Sequence, residues 1–221
     1  MPSVVAVLNQ KGGSGKTTIA TNLARGLQLE GYQVLIADAD PQRTATAWSD
    51  LRDGDSDLPP VVGVGASALE HDLDEVGAAY DLIVIDGAPA LDSLNVKALK
   101  AADVVLIPVR PSGPDVWAGE GLVDLVRTRQ DVTGGYPKAA FVVSQQIART
   151  NLAEEIEEVL DAYKLPVLQG RTGQRVAFAE ALSGGTTVMD LSGAPKAEEE
   201  IREITDDTLA LLKSTGRDTN E

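Results

Sequence analysis

Residues 11 to 18 read Lys-Gly-Gly-Ser-Gly-Lys-Thr-Thr, two lysines around three glycines and a closing pair of threonines. Glycines let consecutive backbone N–H groups turn inward around an oxyanion, and a helix that starts where the run ends adds the positive end of its dipole. In such a loop Lys16 reaches the β- and γ-phosphates of a nucleotide and the Thr17 hydroxyl ligates Mg²⁺, while Gly12, Gly13, Ser14, Gly15 and Thr18 supply the cradle. A glycine-rich strand-to-helix turn with an exposed lysine pair is the plainer use of the same residues; the setting between a buried strand and a helix favours phosphate. The usual spacing G-x-x-x-x-G-K-[ST] is not met, because Gln10 stands where its first glycine belongs.

Two further segments place acids directly after apolar runs: Asp38-Ala39-Asp40-Pro41 and Asp86-Gly87-Ala88-Pro89. Phosphoryl transfer needs positioned charge and an oriented nucleophile more than covalent help. Asp86, at the end of a strand expected beside the glycine loop, is the candidate to hold Mg²⁺ through a water. Asp40 is the candidate to orient or deprotonate an attacking water, and Asp38, two residues earlier and on the same side, supports it. Each of the three could instead be a solvated loop carboxylate. The single histidine, His71, has no second histidine to join it in a metal site and reads as an exposed loop or helix residue. Trp48 and Trp117 read as packing or interface residues, and Glu198-Glu199-Glu200 with Asp206-Asp207 as the wet face of a terminal helix.

These groups need a scaffold, and the apolar pattern supplies one. Residues 3–8, 34–37, 82–85, 104–109 and 140–143 with an approach from Lys138 are short β-branched runs of the kind buried on both faces of a parallel sheet. Between them lie helical patterns at 17–30, closed by Gly31 as a left-handed cap, and at 94–101, 116–127, 152–160 and 195–213. Asn151 with Glu154 resembles a capping box, 52–60 reads as loop, and Gly134-Gly135 as a turn. Alternating strand and helix predicts an α/β fold, a mostly parallel twisted sheet with helices on both faces. One domain over residues 1–214 is expected, with 215–221 a disordered tail.

The chain has 221 residues, 43% hydrophobic and 24% charged, enough to bury its own core. Lys+Arg 19 against Asp+Glu 34 gives a formal charge of -15, so attraction to nucleic acid or an anionic membrane cannot be a property of the whole surface. With no cysteine, disulfides, thiolate metal sites, iron–sulfur clusters and cysteine nucleophiles are excluded. No apolar stretch resembles a secretory signal or spans a bilayer, so a soluble cytoplasmic protein is expected.

The Lys-Gly-Gly-x-Gly-Lys-Thr-Thr loop resembles the deviant Walker A motif of the ParA/MinD superfamily of P-loop NTPases, whose signature is an additional lysine early in the loop, here Lys11. Residues 38–42 resemble that family's switch I, 86–89 its Walker B and switch II, 107–112 (Ile-Pro-Val-Arg-Pro-Ser) the segment after the next strand, and 174–181 a late segment. The resemblance implies ATP and Mg²⁺ as cofactors, nucleotide contacts from Pro108 and Arg110, and a catalytic part for Lys11, which in the family reaches across a nucleotide-sandwich homodimer to the other subunit's ATP. It also implies that basic residues near the late segment, Arg171 and Arg175 here, hold nonspecific DNA. Two arginines five residues apart are equally a solvated face.

Members of the superfamily differ in task, and the residues prune them. Cysteine-dependent reductases and carriers are excluded, the acidic C-terminal helix argues against a membrane-bound switch, and the tail lacks the tyrosines of the family's kinases. With the first strand starting at Ser3, no N-terminal helix-turn-helix domain is expected. The expectation is an ATPase of the short ParA type for DNA partitioning, nucleoid-associated when ATP-bound and released through a ParB-type adaptor or centromere-binding protein. Positioning of a protein cargo such as carboxysomes or chemoreceptor clusters, and a P-loop small-metabolite ligase, are the alternatives.

Overall fold

In a computed structural model the six strands form one all-parallel sheet: β1 (Ser3–Val7), β2 (Val34–Asp38), β3 (Val61–Gly63), β4 (Leu82–Asp86), β5 (Val104–Val109) and β6 (Lys138–Val143), in the order β3-β2-β4-β1-β5-β6. The structure describes all residues except 53–55, 66–68, 70–72, 91–92, 148–151 and 217–221. His71 and the capping pair expected at Asn151 and Glu154 fall outside the described residues and side chains.

Side chains alternate across each strand, so the continuous apolar runs feed two cores. Val5, Val7, Ile36, Val84, Leu106 and Val142 pack beneath α1 (Lys16–Leu29), α2 (Thr44–Asp50), α8 (Val176–Ser183) and α9 (Pro195–Lys213). Ala6, Leu8, Ile83, Ile85, Ile107 and Phe141 pack beneath α4 (Ser93–Ala101), α5 (Gly113–Trp117), α6 (Glu120–Thr133) and α7 (Leu152–Asp161) on the other face. A four-residue helix, α3 (Leu73–Val76), adds Leu73 to this second core. Every described strand is parallel to its neighbours, so the expected sheet with helices on both faces is the one that forms.

Several elements differ from the sequence reading. β2 and β4 each run one residue further, through Asp38 and Asp86, which sit in register with each other. The helix expected over 116–127 is two helices, because the Ser112 hydroxyl caps α5 at the Asp115 N–H and the chain re-enters helix only after Gly119. β3, α2 and α8 escape the pattern: β3 is a three-residue edge strand, and only Ala45 and Trp48 of α2 are buried. At the end of α1 Gly31 takes φ +98°, and the Gly31 and Tyr32 N–H groups donate back to Gln28 and Leu27, the expected cap. Past α9 the chain stays packed through Thr215, which is buried and whose carbonyl accepts from the Tyr136 hydroxyl at 2.8 Å.

Candidate functional site

Between β4 and β5 the sheet order brings β1 to the centre, so the loop leaving β1 opens over the carboxyl ends of the strands, where α/β sheets bind ligands. Gly13 at φ +72° and Gly15 at φ +93° turn the loop at two positions whose left-handed backbone side chains resist. The loop is fastened from outside. Asn9 donates to the Pro108 carbonyl at 2.5 Å and accepts from the Lys11 N–H; Ser144 holds the Ser14 carbonyl at 2.7 Å; Gln145 holds the Gly13 carbonyl at 2.9 Å. With these carbonyls turned outward and no side chain capping α1, the N–H groups of the loop beyond Lys11 and at the start of the helix are left for an anion. The Ser14 hydroxyl is buried with no hydrogen-bond partner.

Asp86 pairs in register with Val7 of β1 on one side and Asp38 of β2 on the other, and the alternation of β4 turns its side chain to the α1 face. It is wholly buried, and no donor reaches either oxygen in hydrogen-bonding geometry. Burial pushes its pKa to about 7, against the Thr17 hydroxyl and Lys16, which pull it down. Lys16 is buried too, its ammonium donating to the Lys11 carbonyl at 3.1 Å; desolvation lowers its pKa while Asp86 and Asp40 raise it. An unpartnered carboxylate facing a hydroxyl at the phosphate loop fits Mg²⁺, which is held by one or two protein oxygens with waters and phosphates rather than by an all-protein cage. Among the described residues no group of three or more His, Cys, Asp or Glu forms such a cage.

Asp38 and Asp40 divide the work differently from each other. Both Asp38 oxygens are committed, Oδ1 to the Asp40 N–H at 3.1 Å and Oδ2 to the N–H and hydroxyl of Thr46 at 2.8 and 2.7 Å. That is the geometry of a residue that positions the turn and α2. Asp40 engages only Oδ1, with the Gln42 N–H at 2.8 Å, and is 8% exposed. The other carboxylate oxygen is available to water.

Lys11 lies on the outer lip, its Nζ 2.8 Å from Asp115 Oδ1. Arg110 reaches the same oxygen through Nε at 3.3 Å and Nη2 at 3.1 Å, and the Ser112 hydroxyl donates to Oδ2. Burial alone would raise the Asp115 pKa, but Lys11, Ser112 and Arg110 together hold it below the ordinary range. Pro108 is buried inside β5, and its carbonyl accepts from Asn9. Trp48 is packed, its indole N–H donating to the Thr186 carbonyl at 2.8 Å, whereas Trp117 is 66% exposed near Lys11's partner Asp115 on α5.

A cavity of about 260 Å³ continues from the loop, lined by Gly15, Thr18, Gln145, Thr172, Arg175 and Phe178 among others. Sequence reasoning missed Ser144, Gln145, Thr172 and Phe178; the available signal was Ser-Gln-Gln directly after the buried run of β6. Arg175, taken from the sequence as a DNA contact, stands in this wall and is ion-paired to Glu200 at 2.5 Å. Arg171 is on the same segment with Nε donating to the Gln169 carbonyl at 3.3 Å. Glu200 and Asp207 correct the expectation of a merely wet helix face, since Glu200 also accepts from the Gly173 N–H at 3.0 Å and Asp207 from the Gly170 N–H at 2.9 Å. Carboxylates on α9 are tethering the 170–175 segment.

Comparison with known proteins agrees with this geometry. The family described as "CobQ/CobB/MinD/ParA nucleotide binding domain" matches residues 5–188. Maintenance of carboxysome distribution protein A of Halothiobacillus neapolitanus is 30% identical over 209 residues, covering 93% of this chain and 95% of that protein. Chromosome-partitioning ATPase Soj of Thermus thermophilus is 32% identical over 244 residues, covering 95% of this chain and 96% of that protein. The ATP complex of a variant of Cyanothece McdA superposes with a TM-score of 0.78 at 18% identity, over 94% of this chain and 96% of that one, and shows a shared fold. With its cradled loop, buried acid and parallel sheet, the chain belongs to the ParA/MinD family of P-loop ATPases.

Proposed function

We propose that this protein is a ParA-type positioning ATPase, an ATP-driven switch that closes into a homodimer on ATP, holds nonspecific DNA, and is released when an adaptor stimulates hydrolysis. The observation that carries the reading is Asp86, a buried carboxylate with no hydrogen-bond partner facing Lys16 and Thr17 at an anion-ready loop. In this reading Gly12, Gly13, Ser14, Gly15, Lys16, Thr17 and Thr18 hold the phosphates of ATP, and Thr17 and Asp86 hold Mg²⁺, which supplies charge neutralisation when bound. The 260 Å³ cavity takes the nucleoside. Asp40 orients the attacking water and accepts its proton, Asp38 fixes the turn that carries Asp40, and Lys11 is the residue that reaches a partner's phosphates.

Partitioning of DNA through a ParB-type adaptor or centromere-binding protein is one cargo assignment. Positioning of a protein assembly is supported at least as well, since proteins named for carboxysome distribution match the chain over nearly its whole length, as a partitioning ATPase does. Both assignments place the protein in the cytoplasm and on the nucleoid when ATP is bound; among the described residues no helix is long and apolar enough to cross a membrane. The test is a salt titration of binding to an unrelated DNA duplex with ATP, ADP and no nucleotide, for wild type and Arg171→Ala/Arg175→Ala. Binding that needs ATP, ignores sequence and falls steeply with salt is expected. No ATP-dependent binding at low salt would overturn the DNA part and favour a metabolite ligase. Cargo is read separately, by imaging a tagged protein with and without the product of each neighbouring gene.

A further inference from the structure

Arg175 is offered to solvent on one side and locked on the other. Its Nε and Nη2 both donate to Glu200 Oε1, at 2.9 and 2.5 Å, and the second Glu200 oxygen takes the Gly173 N–H at 3.0 Å. Glu200 comes from α9, is only 15% exposed, and so binds the 173–175 turn to a helix already packed on α1. The edge of the guanidinium formed by Nε and Nη2 is one of the two that can grip a phosphate in the two-point geometry characteristic of arginine. Here a carboxylate of the same chain fills it.

The opposite side of this turn faces the cavity beside the glycine-rich loop. Thr172, Gly173, Gln174 and Arg175 line the cavity that begins at Gly15 and Thr18. Two backbone bonds, from the Gln146 N–H to the Thr172 carbonyl and from the Gln174 N–H to the Gln146 carbonyl, tie the turn to the end of β6, next to the Gln145 that holds the phosphate loop. One short segment is therefore gripped by α9 on one side and by the nucleotide-loop supports on the other.

We infer that Glu200 is an intramolecular stand-in for DNA phosphate, an autoinhibitory clamp that withholds Arg175 until a nucleotide in the adjoining cavity shifts the 172–175 turn. The inference rests on the reading of Arg175 as a DNA contact and adds how that contact is switched. The clamp lowers affinity in the nucleotide-free state, where a duplex must displace a carboxylate before it gains the guanidinium.

Glu200→Gln tests it, because the amide oxygen still accepts from the Gly173 N–H while the charge that holds Arg175 is gone. Duplex binding by the full protein is measured by salt titration without nucleotide, with ADP and with a non-hydrolysed ATP analogue, alongside Glu199→Gln, which makes the same charge change at an exposed neighbour. For Glu200→Gln without nucleotide, affinity about tenfold above wild type and a salt slope steeper by about one phosphate contact per subunit are expected. The ratio between ATP-analogue and nucleotide-free binding should shrink, Glu199→Gln should stay near wild type, and Arg175→Ala/Glu200→Gln should lose the gain. Equal tightening by Glu199→Gln, or a gain that survives Arg175→Ala, overturns the clamp. If wild type binds DNA through Arg171 and Arg175 but Glu200→Gln matches it in every nucleotide state, the DNA reading stands and the clamp falls. If neither wild type nor Glu200→Gln binds the duplex in any state, the DNA reading itself fails and the clamp with it.

Discussion

Lys11 is held by Asp115 of its own chain, Nζ to Oδ1 at 2.8 Å, with the lysine a third exposed and the aspartate nearly buried. An ion pair with one partner this open to water contributes on the order of 1 kcal/mol or less. Phosphate oxygens can displace it. Lys11→Ala is therefore expected to bind ATP yet stay monomeric with Mg²⁺ and a non-hydrolysed analogue, under which wild type is expected to dimerise, as it is not with ADP. Size exclusion with light scattering checks this, and a mutant that dimerises as wild type does would make Lys11 an ordinary contact within one subunit.

Asp40 and Lys16 should separate turnover from binding. Asp40→Ala is expected to retain ATP while steady-state hydrolysis falls by about 10²-fold or more, the usual worth of a general base. Lys16→Ala should instead weaken nucleotide binding, since it removes the buried ammonium at the loop. Equal losses of binding and turnover in Asp40→Ala would assign that residue to the fold or the metal.

Asp86 makes stability depend on pH. Its pKa is raised from 3.8 to about 7 by burial, so between those values the folded chain binds a proton that the unfolded chain has released. Stability of the nucleotide-free protein should fall as pH rises through that window and level off above about 7. Asp86→Asn is expected to melt higher than wild type at pH 8 and to gain little from Mg²⁺ with ATP, which is expected to stabilise wild type. Thermal melts at pH 5 and pH 8, with and without ligand, check both parts.

Ser144 is a test of the outside fastening. Its hydroxyl donates to the Ser14 carbonyl at 2.7 Å in a buried setting, and Ser144→Ala leaves that carbonyl unsatisfied at a cost of about 1–3 kcal/mol. Nucleotide affinity should drop more than global stability, seen as a larger change in titration calorimetry than in the melting temperature of the nucleotide-free protein.

The chemistry at the centre of the site was legible in local sequence. A strand, three glycines, two lysines and a helix start are adjacent in the chain, so the glycine-rich turn from β1 into α1, and with it the expectation of an anion cradle at 11–18, could be read locally. Asp38 and Asp86 were legible for the same reason, since each closes a continuous apolar run, and a parallel sheet aligns such strand ends along one edge. What only tertiary structure decided depends on which distant segments meet. The sheet order brings the end of β6 to the loop, 130 residues away in sequence, so that Ser144 grips Ser14. The packing of α9 places Glu200 on Arg175 and Gly173, although its sequence reads as one acid in a run of three on a solvated face. Helix periodicity reports which side of α9 meets the core; it carries no information about which loop the half-buried margin of that helix will touch. The division of labour between Asp38 and Asp40 was hidden likewise, because the N–H and hydroxyl that commit Asp38 belong to Thr46, on a helix whose position is set by the sheet and by Trp48 rather than by any pattern in its own residues.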